Sequence, residues 1–209
     1  DLTGLSAERL EMLSRLTPIL SPGGQPRDLL ERDVPETYLV PVQGAAGCWQ
    51  LVALFNWQNC PAEKRIRLSD LGYQAWERVF VYEYWAQRGW TTQAGELSFP
   101  EIPPHGCRLL RVCALKPHPL PPPQLLGSTL HITQGLEIAD WQAEPERLWI
   151  RTVDMGRRAT GELWIALPRP PVRAACNGLP VAVTALGENI YRLALDFTGQ
   201  AQIEIDLPR

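Results

Sequence analysis

Acidic side chains in apolar surroundings are the first residues of this sequence that could do chemistry. Glycoside hydrolases use two carboxyl groups about 5–10 Å apart across the sugar bond. Glu83 interrupts the apolar alternation set by Val79 and Val81, and Asp140 directly precedes Trp141. Each acid could contact a sugar, but the more common alternative is a charge at a strand edge or rim that pairs with an arginine. We therefore predict no catalytic residue in this chain.

Tryptophan is abundant, with eight residues among 209. An aromatic ring presents a flat apolar face on which a sugar can stack, so an exposed Trp can mark carbohydrate contact. The candidate substrate-binding residues are Trp57, Trp85 and Trp90, which lie at strand ends or near turns. Tryptophans inside strand patterns are expected in the core: Trp49, Trp149 and Trp164. For each single Trp, core packing is the more common role.

The histidines and cysteines do not indicate a metal site. His105 lies in a Pro-Pro-His-Gly turn, His118 lies in a proline run, and His131 is isolated. The five cysteines are an odd number without a C-x-x-C pair, which argues against zinc and against a disulfide framework. Cys107 and Cys113 fall in an apolar strand pattern and are expected to be buried thiols. We predict no metal, and a reducing cytoplasm fits these thiols best.

Cofactor and nucleic-acid signatures are also missing. The sequence contains no phosphate-binding G-x-x-x-x-G-K-[ST] loop, no strand–GxGxxG–helix unit and no G-x-S-x-G nucleophile turn, so no cofactor is predicted. The net charge of −3 and the pI of about 5.7 give no electrostatic attraction to nucleic acid or to an anionic membrane. No apolar run approaches eighteen residues, and the first residues do not resemble a signal peptide.

The N-terminal residues predict the only helix. Ser6 suits the N-cap position, and Pro18 is expected to end the helix. Three leucines repeat along one apolar face: Leu10, Leu13 and Leu16. Because so short a helix is unstable alone in water, this face needs a partner, either the downstream β region or a segment upstream.

From Tyr38 onward the hydrophobic period changes to two. Residues 49–57 are apolar on both faces, which predicts a central strand, and residues 79–85 are rich in β-branched and aromatic types. Turn signals recur about every 8–12 residues up to Leu115, which is the spacing of an antiparallel β-sandwich. The predicted fold class is therefore all-β: a β-sandwich followed by a second small β domain, with one N-terminal helix.

A proline-rich stretch divides the chain. Five prolines between Lys116 and Gln124 predict a stiff, extended linker. The predicted domains are 1–36 (helix and loop), 37–115 (β-sandwich), 116–126 (linker) and 127–209 (second β domain). In the last of these, Asn177 and Gly178 between strand-like runs predict a type I′ hairpin turn.

Three segments together resemble a known family. They are residues 51–57 (LVALFNW), 81–85 (VYEYW) and 102–110 (IPPHGCRLL). In this order they resemble the β-sandwich that follows the catalytic barrel in α-galactosidases and related melibiase-like glycoside hydrolases. Residues 130–135 (LHITQG) resemble the start of a further β module in some of these proteins, and residues 1–20 look like the last helix of such a barrel.

The resemblance implies a supporting role. In that family both catalytic carboxylates lie on barrel strands, and no position of this sequence matches a catalytic motif. The chain is therefore expected to be a non-catalytic C-terminal accessory region of an α-galactosidase-like glycoside hydrolase, with the catalytic barrel of the same polypeptide as its partner. A stand-alone carbohydrate-binding β-sandwich module is the alternative, and a purely structural interaction module also stays open.

Overall fold

The structure is a computed structural model that describes residues 4–20, 23–116 and 121–208. These residues form one α-helix and seventeen β-strands, which confirms the predicted all-β class. They divide into two compact units. Among the described residues, the first unit comprises 23–43 and 48–116, and the second comprises 4–20, 44–47 and 121–208.

The first unit contains two sheets. The larger sheet has six strands in the order β1-β2-β3-β8-β5-β6, and the smaller pairs β4 with β7. The strands of the larger sheet are β1 (Gln25–Pro26), β2 (Thr37–Gly44), β3 (Gly47–Phe55), β5 (Val79–Glu83), β6 (Arg88–Thr92) and β8 (Cys107–Ala114). Those of the smaller sheet are β4 (Ala62–Arg67) and β7 (Glu96–Ile102), and a 3-10 turn, Leu68–Leu71, follows β4.

Alternation of side chains explains how these two sheets enclose a core. β3 pairs with β8, and β8 pairs with β5, so β3 is the inner strand that its two apolar faces predict. One face of the large sheet and one face of the small sheet contribute to a single apolar cluster: Val52, Leu54, Val81, Leu110 and Val112 from the former, and Ile66, Leu97, Phe99 and Ile102 from the latter. Burying each such side chain contributes about 1.5–3 kcal/mol.

The second unit is also built from two sheets. The five-stranded sheet has the order β10-β11-β17-β13-β14, and the four-stranded sheet has the order β15-β16-β12-β9. The former consists of β10 (Ile138–Glu144), β11 (Arg147–Thr152), β13 (Arg173–Cys176), β14 (Leu179–Pro180) and β17 (Gln202–Asp206). The latter consists of β9 (Gln124–Ser128), β12 (Arg158–Ala166), β15 (Val183–Gly187) and β16 (Ile190–Thr198). Both sheets contribute to one core, with Leu148, Ile150, Ile203 and Ile205 from the first and Leu163, Ile165, Leu193 and Leu195 from the second.

Two local features of the second unit follow their sequence signals closely. Asn177 and Gly178 have φ values of 50° and 78° and connect the paired residues Cys176 and Leu179. This is the positive-φ hairpin turn that the Asn-Gly pair predicts. β9 begins at Gln124, inside the predicted linker, because Leu125 and Leu126 are fully buried. Residues 117–120 of that linker lie outside the described residues.

The helix α1 extends from Ala7 to Ser14 and groups with the second unit. Ser6 is its N-cap, and the Ser6 hydroxyl accepts a hydrogen bond from the backbone N–H of Arg9. The expected end at Pro18 is wrong: the helix ends four residues earlier. There the Ser14 hydroxyl donates to the Glu11 carbonyl, and tighter turns replace the helical pattern. None of the helical residues is buried.

Candidate functional site

Three aromatic side chains form a layered group where β3 ends. The ring of Phe55, the last residue of β3, stacks on Trp57 with the ring centroids 4.8 Å apart and the planes 4° apart. Tyr38 of β2 meets Phe55 edge to face at 5.7 Å. The Trp57 indole N–H donates to the Pro35 carbonyl at 2.8 Å. Trp57 is therefore held in one orientation, although 42% of its surface is exposed.

Trp85 lies just beyond the end of β5 and is 36% exposed. Its ring meets Tyr84 edge to face at 4.9 Å, and its side chain lies beside the thiol of Cys107, the first residue of β8. Burial raises the pKa of the Cys107 thiol, while the neighbouring Trp85 side chain acts in the opposite direction. The ring contact with Tyr84 therefore helps to orient Trp85.

The sheet order brings these aromatic residues to one end of the six-stranded sheet. Phe55 is the cross-strand partner of Cys107, and paired Cα atoms in such a ladder lie about 5 Å apart. Because Trp57 stacks on Phe55 and Trp85 contacts Cys107, the two tryptophans lie on either side of the start of β8. We refer to Tyr38, Phe55, Trp57 and Trp85 as the aromatic row.

Asn56 fixes the backbone beside this row. Its fully buried side-chain nitrogen lies 2.8, 2.9 and 3.0 Å from the carbonyls of Cys60, Ile102 and Pro103. Its side-chain oxygen accepts from the Gln58 N–H at 3.0 Å. The network joins the end of β3 to the turn that leads into β8, and it thereby sets the positions of Trp57 and Cys107.

Trp90, the third predicted sugar-binding residue, occupies a different environment. It is half-buried on β6, packs against the apolar core of the first unit and contacts Phe99 edge to face at 6.4 Å. The guanidinium of Arg88 lies 5.5 Å from its ring centroid. Trp90 is therefore a packing residue in this structure and is not one of the residues of the aromatic row.

The remaining tryptophans divide between the core and the surface. Trp49 and Trp164 are buried, and the Arg111 guanidinium lies 4.1 Å from the Trp49 ring centroid. Trp149 is half-buried under Arg147, and Trp141 is half-buried against the core of the second unit. Trp76 is 74% exposed in the segment between Leu71 and β5. Sequence reasoning did not single out Trp76, because no strand or turn pattern surrounds it.

Glu83 is not the edge or rim charge that its sequence context suggested. It is fully buried on β5, between β8 and β6, and it forms ion pairs with Arg108 at 2.6 Å and Arg88 at 2.8 Å. The expected arginine pairing is present, but it occurs inside the sheet. With both carboxylate oxygens engaged, Glu83 serves as a structural counter-ion.

The other acidic candidate and the charged surface groups are also paired. Asp140 on β10 accepts a hydrogen bond from Arg151 on the adjacent β11 at 2.7 Å.

In the first unit a groove of about 430 Å³ is lined mainly by charged side chains. Two of its ion pairs are Arg27–Asp70 at 3.6 Å and Arg65–Glu96 at 3.7 Å. Because its charges compensate one another, the groove does not define a ligand.

The histidines and cysteines occupy separate places. The His105 ring lies 2.9 Å from the Asn59 side-chain oxygen, and His131 is buried beside the Thr133 hydroxyl. His118 lies outside the described residues.

The cysteines are all free, with Cys48 and Cys60 exposed, Cys107 half-buried, and Cys113 and Cys176 buried. Within the ranges that the structure describes, no cluster of three potential metal ligands occurs. Among the same residues, no helix has the length and apolar character needed to cross a membrane.

Comparison with known families agrees with this architecture. Residues 42–112, from within β2 to within β8, match the family described as the alpha galactosidase C-terminal beta sandwich domain. No curated protein matches the chain. The match confirms the resemblance that the three sequence segments indicate, and all three segments lie inside the matched range. Residues 42–112 are therefore similar to the C-terminal β-sandwich domain of α-galactosidases.

Proposed function

We propose that this chain is the non-catalytic C-terminal accessory region of a glycoside hydrolase that acts on α-galactosides, and that it packs against the catalytic barrel of the same polypeptide. The family match to residues 42–112 is the observation that carries the proposal. A domain described by its C-terminal position in α-galactosidases implies a catalytic part that precedes it in the polypeptide.

The acidic residues support the non-catalytic assignment. A glycosidase needs two carboxyl groups that face one sugar bond. Glu83 is buried with both oxygens in ion pairs, and Asp140 is paired with Arg151 on the neighbouring strand. Both candidates therefore act as partners of arginines rather than as an acid and a nucleophile around an open cleft.

Helix α1 supplies a surface for the barrel. Four apolar side chains on and just after the helix are 39–43% exposed: Leu10, Met12, Leu13 and Leu16. A helix of eight residues needs packing of its apolar face to remain stable in water. A barrel helix packed against this face would supply that burial, and the barrel of the same polypeptide is present at a fixed stoichiometry.

The coding sequence immediately upstream of Asp1 tests the proposal. We expect several hundred codons of alternating strand and helix patterns, with carboxylates at the carboxyl ends of the strands, as in a (β/α)₈ enzyme. A start codon or a signal peptide directly before Asp1 would overturn the accessory role. In the longer protein, Leu13→Ser should lower the midpoint of unfolding, whereas Glu8→Ser on the same helix should leave it unchanged.

A further inference from the structure

We infer that the aromatic row is a binding platform for neutral pyranoside sugars, in which Trp57 and Trp85 stack on successive rings of one oligosaccharide. The choice of a sugar as ligand rests on the proposed function, since the matched family is a domain found in α-galactosidases. The platform itself is argued from the geometry of the row.

The orientation of Trp57 is the first argument. One face of its indole is covered by Phe55 and its N–H is engaged by the Pro35 carbonyl, yet 42% of the side chain is exposed. The exposure therefore belongs mainly to the opposite face and the ring edge. A ring that is already immobilised loses little conformational entropy on binding, which is the property that favours a stacking platform.

The second tryptophan extends this surface in one direction. Trp85 contacts Cys107, which is the neighbour of Phe55 across the ladder, so the two indoles lie at the ends of β3 and β5 on either side of β8. Two indoles separated by one strand provide more than one stacking position. The row therefore fits a chain of sugar rings better than a monosaccharide.

Polar groups at the same end of the sheet suit sugar hydroxyls. Gln58 directly follows Trp57, while Asn59 and His105 are hydrogen bonded to each other beside the turn that leads into Cys107. All three are exposed. Amide and imidazole groups donate and accept hydrogen bonds without a fixed charge, which favours a neutral ligand over an acidic one.

Tryptophan fluorescence of the 209-residue chain tests the platform. We expect saturable quenching with α-galactoside oligosaccharides of two to four rings and weaker binding of methyl α-galactoside. Trp57→Ala and Trp85→Ala should each weaken binding about tenfold or more, as expected for the loss of one aromatic stacking contact. Trp76→Ala is the matched control, because Trp76 is exposed but lies outside the row, and it should bind as the unchanged chain does.

Site-resolved alkylation gives a second readout that does not depend on the tryptophan variants folding normally. A sugar bound across the row should slow the alkylation of Cys107 several-fold and leave exposed Cys48, at the opposite end of β3, unaffected. If no galactoside or glucoside oligosaccharide quenches fluorescence or protects Cys107, the platform is refuted. Equal losses in the Trp76 and Trp57 variants would refute it too. Neither result bears on the proposed accessory role, which the upstream coding sequence tests separately.

Discussion

The Nη1 atom of Arg108 lies 2.6 Å from the carboxylate of Glu83, an acid with no exposed surface. Arg88 binds the other carboxylate oxygen, but its own side chain is 61% exposed. The two arginines thus bind the same buried charge from environments that differ in solvent exposure. Removing Arg108 should therefore lower the stability of the first unit more than removing Arg88.

Replacing Arg108 by Met should destabilise the first unit by about 3 kcal/mol, because it leaves a buried carboxylate with one solvent-exposed partner. Arg88→Met should cost less, about 1 kcal/mol, because the Arg88 side chain is 61% exposed and water can take its place beside Glu83. Urea unfolding followed by circular dichroism measures both. Equal destabilisation by the two substitutions would show that Arg108 is not the main counter-ion of Glu83.

Asn56→Ala should destabilise the first unit by about 3 kcal/mol. The substitution removes the donor that now lies between the carbonyls of Cys60, Ile102 and Pro103, and the Ile102 carbonyl is buried, where an unpaired polar group is costly. Asn59→Ala, at an exposed position three residues away, is the control and should change stability by less than about 1 kcal/mol. A stability loss at Asn59 that matches the loss at Asn56 would contradict the network's role.

Gly161→Ala should destabilise the second unit by about 1–3 kcal/mol through overpacking. A Cβ atom there would lie 2.6 Å from the Thr129 hydroxyl and 3.0 Å from a methyl group of Leu130. The Thr129 hydroxyl also accepts from the Glu162 N–H at 2.8 Å, so it cannot move without losing that bond. Gly95→Ala has open space and should be nearly neutral in the same thermal-unfolding assay. An unchanged midpoint for Gly161→Ala would argue against this close packing.

The stability of the first unit should fall above about pH 10 because of Tyr73. Burial raises the pKa of its phenol, whose hydroxyl donates to the Val112 carbonyl at 2.8 Å. The folded state therefore keeps a proton that the unfolded state loses above the ordinary tyrosine pKa of about 10. The stabilisation is complete below this pH and is lost as the pH rises, by up to about 1.4 kcal/mol per pH unit.

A comparison with Tyr73→Phe isolates this contribution. At pH 7 the variant should be less stable by about 1 kcal/mol, the value of one hydrogen bond. Between pH 10 and 11 the difference should shrink, because the variant has no phenol to ionise. Tyr38→Phe serves as the control in the same unit. A constant difference between Tyr73→Phe and the unchanged chain across this range would rule out the linkage.

Thiol reactivity should separate the two exposed cysteines from the two buried ones, with half-buried Cys107 between them. Cys48 and Cys60 are exposed and should react with a disulfide reagent at once in the native protein. Burial raises the pKa of the Cys113 and Cys176 thiols and lowers the fraction of reactive thiolate, so both should react slowly. All five should react in urea. Fast labelling of Cys113 under native conditions would contradict its burial.

The sequence predicted the strands well where burial dictates their pattern. β3 has apolar residues on both faces because both faces are buried, and β17 alternates because Ile203 and Ile205 point into the core. The Asn177-Gly178 turn followed from backbone preference alone. These features depend on local chemistry, so one sequence is enough to predict them.

Relationships across the sheet could not be predicted in this way. The partner of Glu83, Arg108, is 25 residues away and becomes its neighbour only because β8 inserts between β3 and β5. The same insertion places Trp57 and Trp85 on either side of Cys107, whereas Trp90 faces the core. Strand order decides which of three similar tryptophans share a surface, and the periodicity of a sequence does not contain strand order.

The position of β17 has a consequence for biosynthesis. This strand is the last of the seventeen to be translated, yet it lies in the middle of its sheet, with β11 on one side and β13 on the other. During synthesis β11 and β13 leave the ribosome before β17, so each has one edge whose backbone groups are unpaired. Their hydrogen bonds to β17 can form only after residues 202–206 have been synthesised. A nonsense mutation before Gln202 would thus remove the central strand of the sheet. It would leave β11 and β13 with unpaired backbone N–H and C=O groups, which favour aggregation.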